Sequence, residues 1–227
     1  MRLRASLPPT GIDVGRLPHG TSRGILSAAL ICIAGTAHAG AAEIERLTST
    51  HACVECDLSG DDLTQVTLMH VDLSRANLSG ARLDGTSMIS SNLSGADLTG
   101  ASLVGTTLGG VMLAEADLTG ADLSGAIMVM VHSPGAIYDG ANLTGAQAPS
   151  SDFEGASFRQ ARMAGADLYS SKLFFADLSG ADLRGADLNA SDFDQAVTEG
   201  TVTDQQTVCP DREPGPCWAA SDGGTDP

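Results

Sequence analysis

The chain of 227 residues has few aromatic side chains (one Trp, two Tyr, five Phe) and few basic ones, 12 Lys and Arg against 28 Asp and Glu. So low an aromatic content suggests disorder in an ordinary chain. The formal charge of −16 argues against nucleic acid or an anionic membrane as a direct partner, since both repel an acidic surface. Catalytic signatures are also missing: no GxSxG, HExxH or phosphate loop occurs. His51, His70 and His132 are scattered along the chain, with no base held beside a nucleophile. These absences predict neither an enzyme nor a cofactor site.

A strict internal repeat is present, and it overrides the composition argument. From Leu93 to Leu123 every fifth residue is Leu, and two places before each stands a small residue, usually Ala. A period of five is neither the 3.6 of a helix nor the 2 of a flat strand. Carried outward, the register runs from Cys53 to Phe193 as 29 units without insertion or deletion. Only Ser133 and Ala148 lack a large apolar side chain or Cys at the centre. Two inward and three outward residues per unit are expected. Glycine, two places after the centre, adds a second period. Sorted by fours, the second and third classes carry Gly at 12 of 14 sites and the fourth class at one of seven. Four units, or twenty residues, therefore make one turn of a solenoid. About seven turns at a sheet spacing of ~4.8 Å make a rod of roughly 34 Å.

The units Ala-Asp-Leu-Thr-Gly at 96–100 and Ala-Asp-Leu-Ser-Gly at 121–125 and 176–180 resemble the A(D/N)LxG units of the pentapeptide-repeat family. The resemblance covers residues 53–193. It implies an all-β fold, a right-handed quadrilateral parallel β-helix, and a non-catalytic scaffold; it does not imply one activity. Some members of that family resemble DNA in charge and shape and bind DNA gyrase, giving quinolone resistance. Those members usually dimerise through a C-terminal helix, where this chain has a Pro- and Cys-rich tail.

Residues 1–39 read as a secretory signal. Arg2, Arg4, Arg16 and Arg23 form a basic region, residues 25–36 are apolar, and Ala37-His38-Ala39 is an A-x-A cleavage site. The apolar run is too short for a permanent span, and Cys32 within it lacks a lipoprotein context, so no stable membrane anchor is expected. A disordered leader on a cytoplasmic protein is the alternative. Cleavage after Ala39 leaves 27 acidic and 8 basic residues, a charge of −19, and places the protein in the periplasm or outside the cell. In that setting Cys209 and Cys217, separated by turn formers, are expected to bridge. Cys53 and Cys56 point inward and admit two readings, small core residues or a bridge. A redox or zinc role with His51 and His70 nearby lacks a thioredoxin-like setting.

The expected organisation is a signal at 1–39, an N-terminal cap at 40–52 with a short helix at 41–47, a β-helix at 53–197, and an irregular tail at 198–227. Local bulges are expected at Pro134 and Pro149, which follow the two failed centres. Residues twenty apart should stack, giving charge-alternating columns (Asp62, Arg82; Asp152, Lys172, Asp192). The column Asp57, Asn77, Asp97, Asp117 lacks the enclosing loop of a calcium site. Asn77, Asn92 and Asn142 match a glycosylation pattern only because the repeat writes it. One edge stands out. Met69, Ile89, Val129 and Tyr169 share one outward position, Met130 adds to their corner, and Met112, Phe174 and Phe175 fall on the adjoining face. Exposed apolar area of this kind predicts binding to a protein partner or a second copy.

Overall fold

The structure is a computed structural model and describes residues 40–218. The expected signal at 1–39 and the chain end at 219–227 lie outside the described residues. Within the repeat, the centre and the small residue two places earlier are buried, as at Ala96, Leu98, Ala101 and Leu103, each at most 1% exposed. The residue just before a centre forms a parallel bridge with the residue twenty further on in nearly every unit: Asp57 with Asn77, Asn77 with Asp97, Asp97 with Asp117. The coil is therefore twenty residues long, with a tight turn in each of its four units.

The hydrogen bonds of one unit explain its composition. Leu98 N–H donates to the Asp117 carbonyl (2.7 Å), Gly100 N–H to Thr119 (2.9 Å), Ala101 N–H back to Leu98 (3.0 Å) and Asp97 N–H to Ala76 (3.0 Å). The residue after the centre is the one whose amide this ladder leaves over. A side chain takes it: Thr99 N–H donates to Asp97 Oδ1 at 2.9 Å, and Ser79 N–H to Asn77 Oδ1 at 3.1 Å. Such local bonds are the habit of Asp and Asn in turns, which is why these residues precede the centre so often.

The same pattern corrects the expectation of bulges at the prolines. Pro134 and Pro149 occupy the position whose amide the ladder never uses, so the missing N–H costs nothing there. The residues two places before them, His132 and Gln147, are not Asp or Asn. Pairing is intact on both sides, with Ser133 N–H on Asp152 O at 2.8 Å and Ala148 N–H on Asp167 O at 2.7 Å. The irregular unit is instead near the start. Thr67 forms no bridge to Ser87, although Ser87 bridges Thr107 on its other side. A shallow groove of about 330 Å³ opens there, lined by Thr64, Gln65, Val66, Thr67, Met69 and Ser87 among others.

Left-handed backbone is common to all four corners of the coil, in contrast to the glycine pattern. Gly100 has φ 62°, and in the glycine-poor class Ser90 (55°), Met130 (54°) and Ala190 (60°) adopt the same region. Such a φ costs a side-chain-bearing residue roughly 1–2 kcal/mol, so stacking holds these corners against their local preference.

The small centre Ser133 is compensated inside the coil. Tyr138 is fully buried and its hydroxyl meets Ser133 Oγ at 2.7 Å. Its ring stacks on Phe158 at 4.8 Å, and Phe153 meets the two rings edge-on at 6.0 and 5.3 Å. Three large rings thus pack together beside the small centre Ser133.

Both ends are covered. Helix α1 (Gly40–Thr50) lies over the first coil with Leu47 buried and Ile44 packed on the core. At the other end the repeat does not stop at 197. Bridges join Asp182 to Val202 and Asp187 to Val208, the last after one extra residue. The β-branched valines keep the pairing although the centres have changed. Trp218 then packs edge-on against Phe193, the last regular centre, at 5.1 Å.

Candidate functional site

The fourth-class corner stacks the residues of the proposed edge into one ladder. Backbone bonds link His70 N–H to Ile89 O (3.1 Å), Gly110 N–H to Val129 O (3.0 Å), Met130 N–H to Pro149 O (3.2 Å) and Ser150 N–H to Tyr169 O (2.8 Å). Met69, Met112, Met130 and Tyr169 are exposed, Met130 most of all at 65%. Ile89 and Val129 are half-buried in the same column. Ile127, exposed and three residues before Met130, widens the strip. Met112 lies on the face beyond this corner, bridged to Asn92 and His132. Phe174 and Phe175, with ring centroids 4.0 Å apart, belong to the unit centred on Leu173 and sit at the next corner of that face. They form a second patch. Val104, Ile137 and Val197 are also exposed and lie outside this strip, the last two in one column without apolar neighbours between them.

Charged columns surround this strip. Arg82 reaches Asp62 at 2.9 Å and Lys172 reaches Asp152 at 3.6 Å, pairs worth about 0–1 kcal/mol when exposed. Asp84 and Asp139 do more. Neither Ser102 nor Ser157 can supply the carboxylate their units need. Asp84 therefore accepts from Ser102 Oγ and from Val104 N–H, and Asp139 accepts from Ser157 Oγ (2.5 Å) and Arg159 N–H (3.1 Å). Partial burial pushes the Asp139 carboxyl up, but these bonds and the Arg159 guanidinium hold it below the ordinary aspartate value. The bond from Ser74 does the same for Asp72, and that from Arg184 for Asp182.

The four described cysteines form two pairs. Cys53 and Cys56 are joined beneath α1, and Cys209 and Cys217 close the tail, with Cα atoms 5.3 and 5.2 Å apart. The tail loop is further fixed by Cys209 N–H on Glu213 O (2.9 Å) and Gly215 N–H on Thr207 O (2.7 Å). Among the described residues, metal-capable groups gather at Glu43, Cys53 and Cys56, and the two sulfurs there are bonded to each other. The acidic column is spent on its own turns, since Asp97 and Asp117 each accept the amide two residues on at 2.9 Å. No helix of the described residues is long and apolar enough to cross a membrane.

The profile of the pentapeptide repeats matches in eight copies, over residues 53–88, 91–128, 139–173 and 171–197. A comparison with curated proteins finds no match. Among solved structures, HetL, a pentapeptide repeat protein involved in heterocyst differentiation regulation in Nostoc sp. strain PCC 7120, is 24% identical. That match covers 72% of this chain and 87% of HetL, with a TM-score of 0.24. Rfr23 from Cyanothece 51142 is 24% identical over 73% and 96% of the two chains, with a TM-score of 0.27. QnrB1, a plasmid-mediated fluoroquinolone resistance protein, is 14% identical over 67% and 93%, with a TM-score of 0.41. With the profile covering more than half of its length and the five-residue units closing coils of twenty, the chain belongs to the pentapeptide repeat family.

Proposed function

We propose that the chain is an exported, non-catalytic scaffold, a right-handed quadrilateral β-helix that binds a protein partner along the fourth-class corner. The observation that carries this reading is the strip of exposed apolar side chains, Met69, Met130 and Tyr169 with Met112 and Ile127 beside it, on a coil whose outward positions are mostly Ser, Thr, Asp and Gly. Contiguous exposed apolar area marks an interface on a soluble protein, and the thioethers adapt to an irregular partner surface. The basic leader with its A-x-A site and the two cysteine pairs support export. Changing Met112, Met130 and Tyr169 together to Ser tests the edge. The parent should sediment as a complex, with itself or a co-purified protein, and the variant as a free monomer of unchanged urea midpoint. A parent that is monomeric and partnerless, with a variant altered only in stability, removes the reading.

The acidic charge, −16 for the full chain, favours one second reading, a gyrase-binding mimic of DNA. The leader opposes it, as does a tail closed by Cys209 and Cys217 where such family members usually carry a dimerising helix.

A further inference from the structure

The first coil and its lid bring three metal-ligating groups to one place. Cys53 and Cys56 are buried, and Glu43 stands in the first turn of α1 against them. Its Oε2 lies 3.1 Å from Cys56 Sγ and 3.7 Å from Cys53 Sγ. Bonded sulfurs carry no proton, so the bridge offers that oxygen no donor. The distances suit a different partner. Around a tetrahedral zinc ion, with bonds of ~2.3 Å to sulfur and ~2.0 Å to oxygen, a thiolate and a carboxylate oxygen lie about 3.5 Å apart. The run Cys53-Val54-Glu55-Cys56 also has the Cys spacing of such sites. Glu55 is engaged elsewhere, with Arg75 at 3.0 Å. Among the described residues, neither His51 nor His70 belongs to the cluster. The lid therefore contributes the third ligand.

We propose that the reduced chain holds a zinc-like divalent cation on Cys53, Cys56 and Glu43, and that closing the Cys53–Cys56 bridge expels it. A dithiol reductant gives the bridge two electrons and two protons, and leaves as its own disulfide. The two sulfurs then part by side-chain rotation to about 3.8 Å, an edge of the same tetrahedron. The ion takes both thiolates and the carboxylate, and the two thiol protons pass to solvent. Water takes the fourth position. Two sulfurs with one oxygen select a zinc-like ion over copper(I), which favours sulfur throughout. Three anions on a divalent ion leave a single negative charge, and Arg46 faces it. Its Nη1 lies 3.6 Å from Cys56 Sγ and 3.8 Å from Glu43 Oε2. The bridge joins two residues of the coil and leaves α1 held by the packing of Leu47 and Ile44. The ion joins α1 to the coil, so the fastening of the lid follows the redox state. The inference stands apart from the export reading and from the fourth-class edge.

The experiment uses the full chain, reduced with a dithiol, freed of it under argon, and titrated with Co²⁺ as a spectroscopic stand-in and then with Zn²⁺. It should take up one ion more than the double variant Cys53→Ser, Cys56→Ser, which keeps Cys32, Cys209 and Cys217. That ion should show thiolate-to-cobalt absorption and the visible bands of a four-coordinate site. Glu43→Gln leaves both thiols and the core in place, and should weaken the ion by about tenfold or more, since loss of a group that merely supports a ligand already costs that much. Glu55→Gln should leave its affinity unchanged. Zinc should also slow tryptic cutting after Arg46 in the reduced chain and not in the oxidised one. Equal uptake by the parent and the double variant, or undiminished affinity in Glu43→Gln, overturns the site. Zinc held as tightly by the oxidised chain overturns the switch, and an Arg46 left unprotected overturns the fastening of the lid.

Discussion

The hydroxyls of Tyr138 and Ser133 meet 2.7 Å apart inside the coil, each in a side chain that is fully buried. They occupy adjacent centres of the repeat, one oversized and one undersized, so neither works in that place alone. Tyr138→Phe leaves the Ser133 hydroxyl without its partner and should destabilise the chain by about 1–3 kcal/mol. Ser133→Ala in addition should restore part of that loss, because both polar groups are then gone. Urea midpoints of the two single variants and the double variant form the cycle; strict additivity would deny the coupling.

The amide after each centre needs either an acceptor or no hydrogen. Asp97→Ala removes the acceptor at 2.9 Å from Thr99 N–H and should cost about 1 kcal/mol. Thr99→Pro in the same background removes the donor, copying the His132–Pro134 and Gln147–Pro149 units, and should recover most of the loss. A double variant weaker than Asp97→Ala would contradict this division of the unit.

Stability should fall in acid. Asp72, Asp139 and Asp182 are held below the ordinary aspartate value in the fold by donors that bond more strongly to the ionised carboxylate than to the protonated acid. A carboxyl depressed in the folded state stabilises fully above its unfolded value, about 3.9. That contribution is lost as pH falls through the folded value, because the unfolded chain then binds more protons. Urea midpoints should therefore hold from neutral pH to about pH 5 and decline below it. Asp139→Asn should flatten part of the decline, and a pH-independent midpoint down to pH 2 would remove the argument.

Trp218 reports on the far end. It is the chain's single Trp, packed on Phe193 next to Cys217. Reduction of Cys209–Cys217 frees the loop that holds it, so its emission should shift to the red and weaken without a change in far-ultraviolet circular dichroism. Cys217→Ser should give the shifted emission with no reductant. Unchanged emission in both cases would mean that the ring contact, not the bridge, holds the tail.

Most of the fold was legible because burial every fifth residue leaves few ways to place Leu98 and Ala96 inside together. The twenty-residue coil was legible in glycine, although the reason differs: Ser90, Met130 and Ala190 share the glycine backbone, so the bias marks which corners tolerate a side chain. What the sequence hid were relations across coils. Asp84 serves Val104, Tyr138 fills the space beside Ser133, and the pairing beyond Phe193 continues through Val197, Val202 and Val208. The approach of Glu43 to Cys53 and Cys56 joins a cap to a coil and carries no local signature. The edge was legible from its outward positions, but its split at Phe174 and Phe175 follows from where the corners fall.

Where the chain resides and how it begins there is the most direct test of an exported scaffold. Fractionation of cells making the full-length chain, with intact mass and N-terminal sequencing of each fraction, decides it. The account predicts a chain outside the cytoplasm that starts at Gly40 and has no free thiol among Cys53, Cys56, Cys209 and Cys217. An unprocessed cytoplasmic chain that retains Met1 and reduced cysteines would contradict it and return the gyrase-binding reading to first place.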